Sequence, residues 1–326
     1  MLSVICFSKD RPLQLQAYLE SLFYYGGLKE SSVHILYTQT GSISYNRLIE
    51  TYPLVHWHAE VNFEQDLRRV VDGAENYVLW GCDDVVFKDH FNINSTIKAL
   101  ESNPQLVGFS LRLGTNTDYP PALQANGYYL CWNWAKTTHT HWNYPWEVSG
   151  SVYRKADILA YVQLVRFKNP NYFEDLFYRE SCENLRLQWS QNRPLLGCFH
   201  SSKCLTITIN RVQEDFLNDF DDLKTTDVAT LYNWFETRKR MDWERLFQTQ
   251  NGGVHVGSDY FLLTEQPTPL PAYILGITQS DQEPTIKISN KLRLKIVMYR
   301  FFIPLKEWIR ARISRKMLVQ LKKALS

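Results

Sequence analysis

The chain has 326 residues, enough for one large α/β domain with appendages or for two small domains. Its 44% hydrophobic and 21% charged residues are those of an ordinary globular protein, and no run of about 18 apolar residues is present to make a membrane-spanning helix. The net charge of +2 is unevenly spread: residues 286–326 hold twelve Lys or Arg against one acid, Glu307, while the rest holds 24 basic and 33 acidic residues. A mildly acidic body argues against nucleic-acid binding and reserves an anionic partner for the tail.

Leu2 to Phe7 is a short apolar run broken by Ser8-Lys9-Asp10-Arg11-Pro12, and it reads as a first strand rather than a signal peptide. Leu15, Leu19, Leu22 and Phe23 then recur at helical spacing up to Gly26-Gly27, a helix-ending pair. Val33 to Tyr37 predicts a strand, Tyr45 to Thr51 a helix ended by Pro53, and Val55 to His58 a short strand. Phe63 to Ala74 predicts a helix, and Tyr77 to Gly81 a core strand ending in Cys82-Asp83-Asp84. Ile93 to Ser102 is a helix and Leu106 to Leu111 a strand. This alternation predicts a mostly parallel sheet flanked by helices, with ligands bound outside the carboxyl ends of the strands. Ser8–Arg11 and Asp83–Asp84 both lie at such ends.

Further along, Thr115 to Trp146 reads as irregular and aromatic, with Trp132, Trp134, Trp142, Trp146, His139 and His141. Such rings serve either as sugar-stacking platforms or as core. A strand enters a helix near Ala156, residues 171–192 are helical, and strands at Leu195–Cys198 and Leu205–Ile209 flank Phe199-His200-Ser201-Ser202. The pattern from Gln213 to about Leu263 is helical and acidic. Residues 266–284 are proline-rich and read as a linker. In the tail, Leu305, Trp308, Ile309, Ile313, Met317, Leu321 and Leu325 recur at helical spacing among basic residues, with Pro304 splitting the segment. That pattern predicts a helix lying in an anionic membrane surface, or else one packed on the acidic body or on a second copy. None of the six cysteines is paired at C-x-x-C spacing, which argues against zinc and suits reduced thiols in a cytoplasmic protein.

The chemistry concentrates on the acidic turn. Two adjacent carboxylates at the end of a buried strand repel unless a cation sits there, and Mg²⁺ or Mn²⁺ takes carboxylate and phosphate oxygens together; an Asp-Asp turn that merely caps the next element is the alternative. Ser8 or Asp10 can cap the following helix, with Pro12 in its first turn. The order of these motifs over residues 1–215, with a strand-Asp-Asp-hydrophobic third core strand, resembles the GT-A-fold glycosyltransferases, and most closely the bacterial family-2-like enzymes. Their motif is Asp-x-Asp; Cys82 stands at its first position here, Asp83 at its middle and Asp84 at its metal-binding end.

The resemblance implies an α/β GT-A-type domain at 1–215, a helical acceptor-side extension and linker at 216–285, and the basic tail at 286–326. It implies sugar transfer from a nucleotide-diphosphate donor, UDP-linked by preference, to a carbohydrate or lipid-linked glycan, with Mn²⁺ or Mg²⁺ as cofactor, at the inner face of a membrane. The donor would be met by Ser8, Asp10, Arg11, Arg68, Asp83, Gly150, Ser151 and Lys203, and the metal by Asp84, Asp83 and His200. Glu174 or Asp175 is the expected base of an inverting displacement, with Glu147 next. Each has a structural alternative: a solvated helix face for Arg68, helix-dipole complementation for Glu174 and Asp175, ordinary packing for His200. A non-catalytic carbohydrate-binding or scaffold protein is the second reading. Sugar-1-phosphate nucleotidyltransfer is the third, disfavoured because the Ser8–Pro12 loop has no glycine.

Overall fold

The structure, a computed structural model, describes residues 1–139, 141–179, 188–212 and 226–265. The expected linker and basic tail therefore lie outside the described residues.

The first half alternates as its apolar runs predict: β1 (Leu2–Lys9), α1 (Pro12–Gly26), β2 (Val33–Thr38), α2 (Asn46–Thr51), β3 (His56–Ala59), α3 (Phe63–Gly73), β4 (Tyr77–Cys82), β5 (Val85–Phe87), α4 (Ile93–Ser102) and β6 (Leu106–Ser110). Pro12 opens α1, where a missing amide hydrogen costs nothing, and Gly27 ends it in the left-handed region at φ 58°. Asn62 and Asn92 cap α3 and α4 through their side chains. The second half adds β7 (Gln124–Asn126), β8 (Tyr129–Asn133), β9 (Ser151–Arg154), α5 (Lys155–Leu164), α6 (Pro170–Arg179), β10 (Leu195–Cys198) and β11 (Cys204–Ile207). It continues with α7 (Val228–Glu236), β12 (Lys239–Met241), β13 (His255–Val256) and β14 (Leu263–Glu265).

Nine strands form one sheet in the order β3-β2-β1-β4-β9-β6-β10-β8-β7. It is mixed rather than mostly parallel. Strands β3, β2, β1 and β4 run parallel, whereas β9 is antiparallel to both β4 and β6, and β8 to both β10 and β7. The segment expected to be irregular supplies the β7–β8 hairpin, and β8 alternates across the sheet: Leu130 and Trp132 enter one core, Tyr129 and Cys131 the other. Trp132, Trp134, Trp142 and Trp146 are all buried, so these rings are core and offer no open stacking platform.

Strand β1 shows how the sheet divides the interior. Val4 and Cys6 pack on the face covered by α1, while Ile5 and Phe7 pack on the face covered by α3. On the second face Trp80, Trp146, Phe167 and Phe173 form an aromatic cluster with centroids 4.9–5.5 Å apart where Phe173 meets the other three.

The segment after residue 226 is less helical than its pattern predicts. Short strands β12 and β14 pair with each other, and β13 joins β11 and β5 in a three-stranded sheet. Strands of two or three residues have too little periodicity to be read from sequence. Helix α7 and β12 pack on the outer side of α1, where Glu20, fully buried, is held by Arg240 at 3.1 Å and by the Trp243 indole N–H at 2.7 Å.

Candidate active site

The acidic turn sits where the hydrophobic logic of β4 ends. Trp80 anchors the strand in the aromatic cluster, Gly81 lies against Tyr18 with no room for a side chain, and Asp83 N–H donates to the Phe7 carbonyl at 3.0 Å. The backbone then leaves along β5, fixed by the antiparallel pairing of Val85 to Thr206 and by Ile207 N–H donating to the Asp84 carbonyl at 2.8 Å.

The two carboxylates have different surroundings. Asp83 is 3% exposed, and its Oδ2 accepts from Ser8 Oγ at 2.8 Å and from Lys9 N–H at 3.2 Å. Its Oδ1 accepts from Arg11 Nη1 at 3.0 Å. Burial pushes the Asp83 carboxyl up to about 6; Arg11 opposes that rise and Asp84 adds to it. Asp84 keeps 22% of its side chain exposed, and its Oδ2 accepts from the same Arg11 Nη1 at 3.3 Å. Arg11 Nη2 donates to the Asn210 carbonyl. Burial pulls the guanidinium down, yet Asp83 and Asp84 outweigh it and hold Arg11 above its ordinary value.

The first loop is consumed by this arrangement. The hydroxyls of Ser8 and Tyr45 lie 2.7 Å apart, and Tyr45 also accepts from Arg11 N–H at 3.0 Å. Asp10 has φ 55°, a conformation that Asp tolerates, and its carboxylate accepts from Thr40 N–H at 2.6 Å and Thr40 Oγ1 at 2.9 Å. Ser8, Asp10 and Arg11 thus brace the acidic turn and the β2 end, and all three are buried.

A second carboxylate centre adjoins the first. The antiparallel pairing of β9 with β4 carries residues 147–150 alongside the end of β4, and Gly150 N–H donates to the Trp80 carbonyl at 2.9 Å. Cys82 links the two: its thiol donates to the Val148 carbonyl at 3.5 Å, and Val148 N–H donates to Glu174 Oε2 at 3.0 Å. Burial, with Asp84 beside it, pushes the Cys82 thiol well up, so it remains protonated. Glu174 lies in the first turns of α6, started by Asn169, whose side chain accepts from Tyr172 N–H at 2.9 Å. Its neighbour Phe173 plugs into the aromatic cluster that also fixes Trp80, so one core element positions both the acidic turn and Glu174.

Tyr144 donates to Glu174 Oε1 at 3.1 Å. The residue keeps some exposure, but its carboxyl lies deep. Burial pushes it up to about 7, against the pull of Arg112 and with help from Glu147. Such a carboxyl exchanges its proton near neutrality. Glu147 is 5% exposed, ion-paired with Arg112 and hydrogen-bonded by Ser151 Oγ. Arg112 Nη1 also lies 3.3 Å from His255 Nε2. A guanidinium only donates, so that nitrogen accepts and His255 carries its proton on Nδ1. Burial, then Arg112, pushes His255 well down and His141 to about 3, so both are neutral. Arg112, His141 and Glu147 line a small recess with Tyr144, Ser151 and Tyr153.

Several expected residues stand elsewhere. Arg68 donates to the Val162 and Val165 carbonyls at 3.0 Å each and pairs with Glu64, so it clamps the end of α5 rather than turning to the acids. Lys203 pairs with Asp89 at 3.0 Å, at the far end of β5, about 10 Å along the strand from Asp84. His200 offers its carbonyl to Thr115, and burial and Lys203 lower its proton affinity. Among the described residues no three His, Cys, Asp or Glu side chains are placed to hold a metal ion, so Asp83, Asp84 and His200 do not form one ligand set. Gly150, at φ 119°, presses on Cys204 Sγ, where a Cβ would come within 2.8 Å; Ser151 is buried against Glu147. Asp175 follows Glu174 on α6 and stays partly exposed. Arg112, Tyr45, Asn210 and His255 were invisible in the sequence: each is a single residue in an apolar or polar run with no spacing signal.

No helix among the described residues is long and apolar enough to cross a membrane, and no protein-family model matches the chain. Among solved structures, the S. aureus protein TarS (1–349) in complex with UDP aligns over 61% of this chain and 58% of its own, at TM-score 0.42 and 10% identity. A mannosyltransferase from Pyrobaculum calidifontis, in complex with GDP-Man and Mn²⁺, aligns over 60% and 53% at TM-score 0.36 and 9% identity. A cytidylyltransferase from Leptospira borgpetersenii aligns over 77% and 98% at TM-score 0.37 and 10% identity. In sequence, the chain is 30% identical over 297 residues to the bifunctional glycosyltransferase pgtA of Dictyostelium discoideum; the match takes in 78% of this chain and 38% of that longer protein. Along most of its length, then, the chain is a relative of one stretch of a bifunctional glycosyltransferase.

Proposed function

We propose that the chain is a glycosyltransferase that moves a sugar from a nucleoside-diphosphate donor, UDP-linked by preference, to a glycan or lipid-linked acceptor with inversion. The observation that carries this is the adjacency of two unlike carboxylate centres. A partly exposed Asp84 ends the central strand, and a Glu174 carboxyl raised to about 7 is tied to it through Val148 and Cys82. The sequence likeness to pgtA supports the same reading.

A divalent cation fits at Asp84, whose Oδ1 has no partner among the described residues; Asp83 does not fit, because Ser8, Lys9 and Arg11 occupy both its oxygens. When bound, the ion would help neutralise the diphosphate. In the displacement Glu174 takes the acceptor hydroxyl proton as the oxygen bonds to the anomeric carbon. The bond to the diphosphate breaks, and its electron pair leaves with the diphosphate. Tyr144 and the Val148 amide hold the carboxyl in place. An acceptor anchored at an anionic membrane surface suits the basic, amphipathic residues 286–326.

A panel of UDP-, GDP- and dTDP-sugars with Mn²⁺, read as nucleotide release with and without acceptor glycans, tests the reading. Turnover should fall about 10²–10⁴-fold in Glu174→Gln and be lost in Asp84→Ala. Release from the panel that is equal in wild type and Asp84→Ala refutes it.

A further inference from the structure

We propose that Arg11 is the resident counter-ion of the acidic turn, so that the free protein has no tight divalent-cation site and an ion enters only together with the donor's phosphates. The inference rests on the reading of Asp84 as the donor-side acid, but its observations are the contacts of the turn itself.

Two carboxylates meeting at a strand end normally call for a cation between them. Here the position is filled. Arg11 Nη1 lies 3.0 Å from Asp83 Oδ1 and 3.3 Å from Asp84 Oδ2, bridging the pair as a shared metal would. The residue is 8% exposed. It is held at three further points: Nη2 on the Asn210 carbonyl, the backbone N–H on the Tyr45 hydroxyl, and Pro12 directly after it. A guanidinium cannot yield by losing its proton, and displacing it would strand a buried unpaired charge. Asp83 is closed on its other oxygen by Ser8 and Lys9 N–H. Among the described residues, what remains for a metal is the Oδ1 of Asp84, too little for Mn²⁺ or Mg²⁺ without phosphate oxygens.

The Arg11 side chain is spent inward, on the turn. The diphosphate charge must then be met by the incoming ion and by groups other than Arg11.

The test is Mn²⁺ binding by electron paramagnetic resonance on the full chain without nucleotide, with thermal unfolding in Mn²⁺ or EDTA. Wild type should hold no ion tighter than roughly 100 µM, as one carboxylate oxygen predicts, and its Tm should be the same in both buffers. Arg11→Met bares both acids: Mn²⁺ should bind at least about tenfold tighter and raise the variant's Tm, and Arg11→Lys should behave as wild type. Adding Asp84→Asn to Arg11→Met should abolish the gain. Stoichiometric low-micromolar Mn²⁺ binding by the nucleotide-free wild type overturns the proposal, as does Arg11→Met binding no tighter. Should Arg11→Met fail to fold, the wild-type titration alone decides. A negative nucleotide-sugar panel would sink the transferase reading and leave these results untouched.

Discussion

Replacing Glu174 with Gln should make the protein more stable while lowering its activity about 10²–10⁴-fold. The side chain is isosteric, and both hydrogen bonds survive: the amide oxygen accepts from Val148 N–H, and the amide N–H donates to the Tyr144 hydroxyl, which can accept as well as donate. What disappears is a carboxyl whose burial raises it from 4.5 to about 7. The native state therefore binds this proton more tightly than the unfolded chain. Stability falls as pH rises from 4.5 towards 7, and the full penalty, about 3 kcal/mol, applies above pH 7. Lifting it should raise Tm at pH 8 by roughly 4–6 °C, with the gain shrinking to nothing below about pH 4, where both states are protonated. Calorimetry of wild type and variant at pH 8, 6 and 4 measures this. A variant less stable than wild type at pH 8, or a difference that does not change with pH, refutes the burial argument. In wild type the rate should rise as pH passes about 7, when the base loses its proton.

Three other perturbations probe the frame. Arg240→Met strands the fully buried Glu20 carboxylate and should cost about 3–5 kcal/mol in urea unfolding at pH 7. Gly150→Ala puts a Cβ at φ 119° and 2.8 Å from Cys204 Sγ; strain and overpacking together should cost about 2–4 kcal/mol and disturb the Glu147 loop, seen as lower Tm and lower kcat. Arg68→Ala loosens the end of α5, costing about 1–2 kcal/mol as two hydrogen bonds are lost, and should leave nucleotide affinity unchanged in a calorimetric titration.

The alternation of apolar runs from Leu2 to Ser110 was readable because strands buried on both faces and amphipathic helices differ in period. The acidic turn followed from it, since Asp83 and Asp84 break an apolar strand at its carboxyl end. Glu174 was readable as an acid early in a helix. Its raised proton affinity was not, because that depends on the depth set by Phe173 and the aromatic cluster. The direction of Arg11 was illegible for a related reason. Sequence places it within reach of phosphate, but only the β1–β4 register and the Asn210 carbonyl turn it onto the acids. Arg68 shows the limit for helix faces: which way it points is decided by α5, nearly a hundred residues on. The β7–β8 hairpin was hidden by the tryptophans, which suggested an open aromatic loop where the structure has core.

The return of Arg240 and Trp243 to Glu20 has a consequence for how the protein comes off the ribosome. The two partners are separated by 220 and 223 residues. At translation rates of about 5–20 residues per second, Arg240 follows Glu20 by roughly 10–45 s. During that time α1 presents on its outer flank, where α7 and β12 later pack, a carboxylate held only by Gln16 of the same helix. A nascent chain in that condition should bind chaperones that shield apolar surface, and stalling translation just before residue 240 should leave α1 open to proteases that spare the finished protein.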